Sequence, residues 1–137
     1  MTEHRASCQC GAVQVASSAD PDFTMVCNCK ACQKKTGAAF GGGAYFKKTD
    51  AQISGDTWTY ARKADTGREL VNHFCPNCGT TVYWTLEMRP DHIGVGVGSF
   101  DTDLPRPVRV IWAKEKHDWV DFADDLEVLD GASPEPK

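Results

Sequence analysis

The chain has no uninterrupted apolar run near the ~20 residues that would span a bilayer. Its first residues, Met1-Thr2-Glu3-His4-Arg5, carry no hydrophobic stretch of the kind that marks a secretory leader. A cytoplasmic chain with no membrane association is therefore expected. It also lacks the basic surplus that nucleic-acid domains use to neutralise phosphates, because its net charge is −4. No internal repeat and no linker divides its 137 residues, so one domain over 1–131 is expected, followed by a disordered tail with two prolines at 132–137. Gly94-Val95-Gly96-Val97-Gly98 lacks both the G-x-G-x-x-G spacing of a dinucleotide site and a helix after it.

Even pairing is the last absence. Seven cysteines cannot all close into internal disulfides. They fall into three groups instead: Cys8 and Cys10, then Cys27, Cys29 and Cys32, then Cys75 and Cys78. Spacings of C-x-C and C-x-x-C suit thiolate ligands of zinc, and a reducing cytosol keeps such thiols free. The natural partition is four plus three. Cys8, Cys10, Cys75 and Cys78 would close a structural site, with Cys8 and Cys10 on one side of a strand and the other pair in a Pro76/Gly79 turn. Cys27, Cys29 and Cys32 would leave a position free for water or a substrate thiol. The alternative is a histidine that closes the second site, with His4, His73, His92 and His117 as the candidates.

The rest of the pattern is β-rich. Short stretches at 12–16, 23–26, 44–46, 57–60, 69–74, 80–86, 92–100 and 108–113 have the alternation or the β-branched and aromatic content of strands. One short helix is expected over 31–36, stopped by Gly37, with its first-turn amides favouring thiolate. Gly41-Gly42-Gly43 reads as a bulge or loop. Basic residues gather at Lys30, Lys34 and Lys35, and again at Arg62, Lys63 and Arg68; solvated faces are the plain reading, a small anionic ligand the other.

Taken in order, C-x-C-G at Cys8–Gly11, C-x-C-x-x-C-x-K-x-T-G-A at Cys27–Ala38 and F-C-x-x-C-G at Phe74–Gly79 resemble the glutathione-dependent formaldehyde-activating enzyme family. Weaker echoes run through 96–101 and from Ile111-Trp112 to Trp119. Thr80 and Val110 depart from it, standing where relatives often carry serine and histidine. The resemblance implies a mainly β fold, a β-tent of short antiparallel sheets held by zinc, with little helix. It implies two zinc ions, structural on Cys8, Cys10, Cys75 and Cys78 and catalytic on Cys27, Cys29 and Cys32. The implied partners are a thiol such as glutathione and a small aldehyde, and the implied activity is that of a carbon–sulfur lyase acting on S-hydroxymethylglutathione. Two other classes stay open: a non-catalytic zinc-stabilised interaction module, and a redox protein using Cys29 and Cys32, for which the expected βαβ pattern is missing.

Overall fold

In the computed structural model, residues 3–134 are described. Two sheets carry the fold. The small one takes β1 (His4–Ser7), β2 (Gln14–Ser17) and β5 (Ala51–Ser54), in that order. The large one holds eight strands: β3 (Phe23–Cys27), β4 (Gly41–Lys47), β6 (Trp58–Lys63), β7 (Glu69–Phe74), β8 (Thr81–Leu86), β9 (Arg89–Gly96), β10 (Arg109–Ile111) and β11 (Glu127–Val128). Their order across it is β11-β10-β3-β4-β9-β8-β7-β6. The expected short antiparallel strands are present, and two pairings depart from that pattern. β10 lies parallel to both β3 and β11. Among the described residues no helix is long and apolar enough to cross a membrane.

Period-two alternation explains how the layers stack. On one face of the large sheet, Ala44, Phe46, Tyr83, Ile93 and Val95 pack against Ala6 and Val15 of the small sheet and Val13 of the turn before β2, forming the main core. The opposite face carries Tyr45, Leu70 and Trp84, flanked by Phe23, Met25 and Leu86. Over that second face sits α1 (Lys30–Thr36), which ends as the sequence predicts: Gly37 adopts φ 66°, and its amide donates to the Gln33 carbonyl.

Three sequence expectations need correcting. The triple glycine is neither bulge nor loop. Gly41, Gly42 and Gly43 begin β4, deep in the large sheet, paired with β3. Side chains from elsewhere occupy the space that a Cβ would need: one on Gly42 would lie 2.6 Å from Val97 Cγ2, and one on Gly43 2.7 Å from Trp84 Cζ2. Cys8 and Cys10 do not share a strand face. β1 ends at Ser7, and the pair lies in the β1–β2 turn, where Gly11 takes φ 83°. The stretch expected to be extended to residue 100 gives way after Gly96 to a 3-10 turn over Val97–Ser99. Of the tail expected at 132–137, residues 135–137 lie outside the described region, and Ser133 accepts a 2.7 Å hydrogen bond from Arg109 Nη1.

Candidate metal centres and cleft

Two turns of similar build bring the first four sulfurs together. In one, the Gly11 amide bonds the Cys8 carbonyl at 3.1 Å; in the other, the Gly79 amide bonds the Cys75 carbonyl at 2.8 Å, with Gly79 at φ 79°. Glycine is needed at both places because a side chain at such φ is strained. The turns are tied by the Gln9 amide donating to Thr80 Oγ1 at 3.2 Å. All four sulfurs lie within 4.8 Å of one another, with Cys8 and Cys75 buried in the core's end. Backbone amides point at them, from Val13 to Cys8 Sγ (3.2 Å) and from Asn77 to Cys75 Sγ (3.4 Å). The Thr80 hydroxyl, 3.3 Å from Cys78 Sγ, is the first of the bonds that hold that thiol down to about 5. Thr80 thus keeps the hydroxyl that serine would supply. Four converging, amide-bonded sulfurs fit a closed metal site.

The second cluster is built where β3 runs into α1. Cys27 ends β3, Cys29 is the N-cap and accepts a bond from the Cys32 amide at 3.4 Å, and Cys32 lies in the first turn. The three sulfurs again fall within 4.8 Å of one another. They share protons unequally. Hydrogen bonds from Cys27 and Cys32 hold the Cys29 thiol down to about 2, and bonds to Cys29 and then Cys32 push Cys27 far above the ordinary thiol range. Three converging sulfurs, with Cys29 biased toward thiolate, are a ready donor set for a soft cation.

The loop around this trio is held by residues that sequence reasoning missed. Asn28 is fully buried and donates from Nδ2 to the Ile111 carbonyl at 3.0 Å. Gln33 donates to the carbonyls of Asn28 (2.7 Å) and Glu115 (3.1 Å), and the Glu115 carboxylate accepts from the Lys30 amide at 3.0 Å. The only trace of this in the chain is a polar residue lodged between two cysteines.

None of the four histidines joins either cluster. His73 stacks on Tyr83, with centroids 4.4 Å apart, and faces Thr57 on the other side of the sheet. His4 bonds Asp20, His92 bonds Asp22, and His117 bonds Gln33. Nor is a redox βαβ unit present, since β3 and β4, which flank α1, pair antiparallel.

The trio opens onto a cleft of about 840 Å³. Its floor is Trp84, whose indole lies flat across β9 and β4 because Gly94 and Gly43 leave no side chain in its way. Trp84 Nε1 donates to Tyr45 Oη at 3.2 Å, and the ammonium of Lys35 stands 3.5 Å above the ring. Burial pushes the Lys35 amine down from its usual value, an effect opposed by the nearby sulfur charge. Both basic groups of the sequence contribute to the cleft: Lys30 and Lys35 from α1, Arg62 and Arg68 from across it, joined by Arg89. Lys34 and Lys63 are absent from its lining. One wall is Trp112, the single non-glycine residue among those described with positive φ, at 56°. Such a backbone costs about 1–3 kcal/mol for a bulky residue and persists where the surroundings impose it. Here β10 pins it, with Ile111 opposite Cys27 and the Trp112 amide bonded to the Gly131 carbonyl.

Comparison with known proteins agrees with this architecture. The model of the glutathione-dependent formaldehyde-activating enzyme family matches residues 3–120. No curated protein matches the chain. Among solved structures, a crystal structure of a Rhodobacter sphaeroides protein superposes with a TM-score of 0.56 at 21% identity, over 74% of this chain and 92% of the other.

Proposed function

Because the chain belongs to the glutathione-dependent formaldehyde-activating enzyme family, we propose that it is a zinc enzyme of carbon–sulfur lyase type, making or breaking the adduct of a small thiol with a small aldehyde. S-Hydroxymethylglutathione is the representative substrate. In this reading Cys8, Cys10, Cys75 and Cys78 hold a structural zinc, and Cys27, Cys29 and Cys32 hold a second. The observation that carries it is the contrast between the two clusters. Four sulfurs close the first, whereas the second offers three, with no fourth protein donor among the described residues, beside the large cleft.

Zinc bound there would supply Lewis acidity, making a coordinated thiol available as thiolate at neutral pH. The protein's own groups set the rest. Lys35 and Arg62 add positive charge beside the sulfurs, which favours anions at this end of the cleft. The apolar floor of Trp84 and Tyr45 limits water around the reacting carbon. Lys30, Arg68 and Arg89 also line the cleft, and in this reading they meet the carboxylates of a glutathione-like thiol. In the forward direction the sulfur–carbon bond forms and the thiol proton ends on the aldehyde oxygen. The reverse step returns it to sulfur.

The test is a glutathione titration of cobalt-substituted protein, following the thiolate-to-cobalt charge-transfer bands. A saturable change, lost in Cys29→Ser, is expected. That variant should still fold, because a serine N-cap also accepts the first-turn amide. If both sites bind cobalt and glutathione leaves the bands unchanged, the second site is closed. The non-catalytic module then becomes the better reading.

A further inference from the structure

Each sheet has two outer strands, and three of the four are short. β1 and β5 have four residues each and β11 has two, and β1 is further covered by a bridge from Ala6 to Phe100. Short or covered edges are how natural sheets avoid pairing with other chains. β6 does neither. It runs six residues, Trp58-Thr59-Tyr60-Ala61-Arg62-Lys63, at the end of the eight-stranded sheet, and contains no proline or bulge. Trp58 is 64% and Tyr60 62% exposed, large aromatic surface at the edge of a strand. Both lie, with Arg62, on the cleft face, because alternate residues of a strand share a side.

We propose that β6 pairs with β6 of a second copy of this chain, antiparallel about a twofold axis centred on Tyr60. The argument is self-complementarity. In that register Tyr60 faces its own copy, Thr59 faces Ala61, and Arg62 of each chain faces Trp58 of the other. A guanidinium against an indole is the best of the cation–π pairs, and symmetry supplies it twice. No like charges meet, since Lys63 falls opposite Thr57. Sliding the axis to Arg62 would set two guanidiniums face to face. Trp58 is already steadied for the role by an edge-to-face contact with Phe74, centroids 6.4 Å apart. The dimer joins two eight-stranded sheets into one, with both clefts on the same side. Because Arg62 also lines the cleft, each copy brings Trp58 to the rim of the other's site.

The experiment is sedimentation equilibrium of the metal-loaded full chain at micromolar concentration, combined with disulfide mapping. The expected mass is twice the 15.0 kDa of the chain. Tyr60→Lys places two ammonium groups opposite each other and should weaken dimerisation at least tenfold, with an unchanged circular dichroism spectrum. Mild oxidation should cross-link Tyr60→Cys, because facing Cα atoms in such a pair lie about 4.5–5.5 Å apart, within disulfide reach. Thr59→Cys and Ala61→Cys should not cross-link, their counterparts being two residues out of step. A monomeric parent protein, a Tyr60→Lys variant as dimeric as the parent, or cross-linking at Thr59 or Ala61 but not Tyr60 would each overturn the proposal.

Discussion

Replacing Gly94 with alanine tests the claim that bare backbone lets Trp84 form the floor of the cleft. A Cβ at Gly94 would overlap the indole Nε1 and lie 2.5 Å from Cε2 and 2.9 Å from Cδ1 of Trp84. The ring cannot simply slide toward β4, since Gly43 already receives its far edge at a distance that allows no side chain. Overpacking of this kind costs about 1–3 kcal/mol, and displacing the indole also breaks its bond to Tyr45, adding about 1 kcal/mol. A total of about 2–4 kcal/mol corresponds, for a domain of this size, to a fall in melting temperature of roughly 6–16 °C. Scanning calorimetry of the metal-loaded protein reads it directly, with tryptophan fluorescence reporting the ring's new surroundings. Gly98→Ala is the control, because a Cβ there meets nothing within 4 Å, and it should melt within about 2 °C of the parent. A Gly94→Ala protein that matches its parent in melting temperature and fluorescence would refute the role given to this glycine.

Removing one ligand of the four-sulfur site should be far more damaging than removing one from the three-sulfur site. Cys78→Ser is expected to drop bound metal by one equivalent and to leave a chain that melts at least 10 °C lower or aggregates, because metal binding at a closed site is folding free energy; metal analysis with calorimetry checks both. Acid should act through Asp22, whose carboxyl is held below its ordinary 3.8 first by the hydrogen bond from His92 and also by Lys47. A depressed carboxylate stabilises the fold above its unfolded value and loses that contribution as pH falls through the folded one. The stability gap between the parent and Asp22→Asn, measured by urea midpoints, should therefore hold from pH 7 to about 4 and close below that.

What could be read in the chain was what short range determines. A tight turn carrying two sulfurs is encoded within five residues, so the turn from Cys75 to Gly79 was legible as it stands, and so was the helix that Gly37 stops. The four-plus-three partition followed from spacing alone, and the sulfurs do converge that way. Even so, Cys8 and Cys10 meet through a turn and not through strand alternation, which shows that one spacing serves two backbone shapes. The strands β1, β5 and β11 went unread because two to four residues are too few to show a period; pairing makes them strands, and the partners are distant. The glycines failed for the same reason. Isolated from its context, Gly41-Gly42-Gly43 looks like a weak point in a strand, and only Val97 and Trp84, some forty to fifty-five residues later, turn it into a surface that receives them. The cleft inherits this non-locality. Its sulfur trio comes from one segment, whereas its floor comes from β8, its far cations from β6, the β6–β7 turn and β9, and its Trp112 wall from the end of β10. The sulfur clusters are written locally and the lining of the cleft is written by strand order, which is why the first were legible from spacing and the second had to wait for the fold.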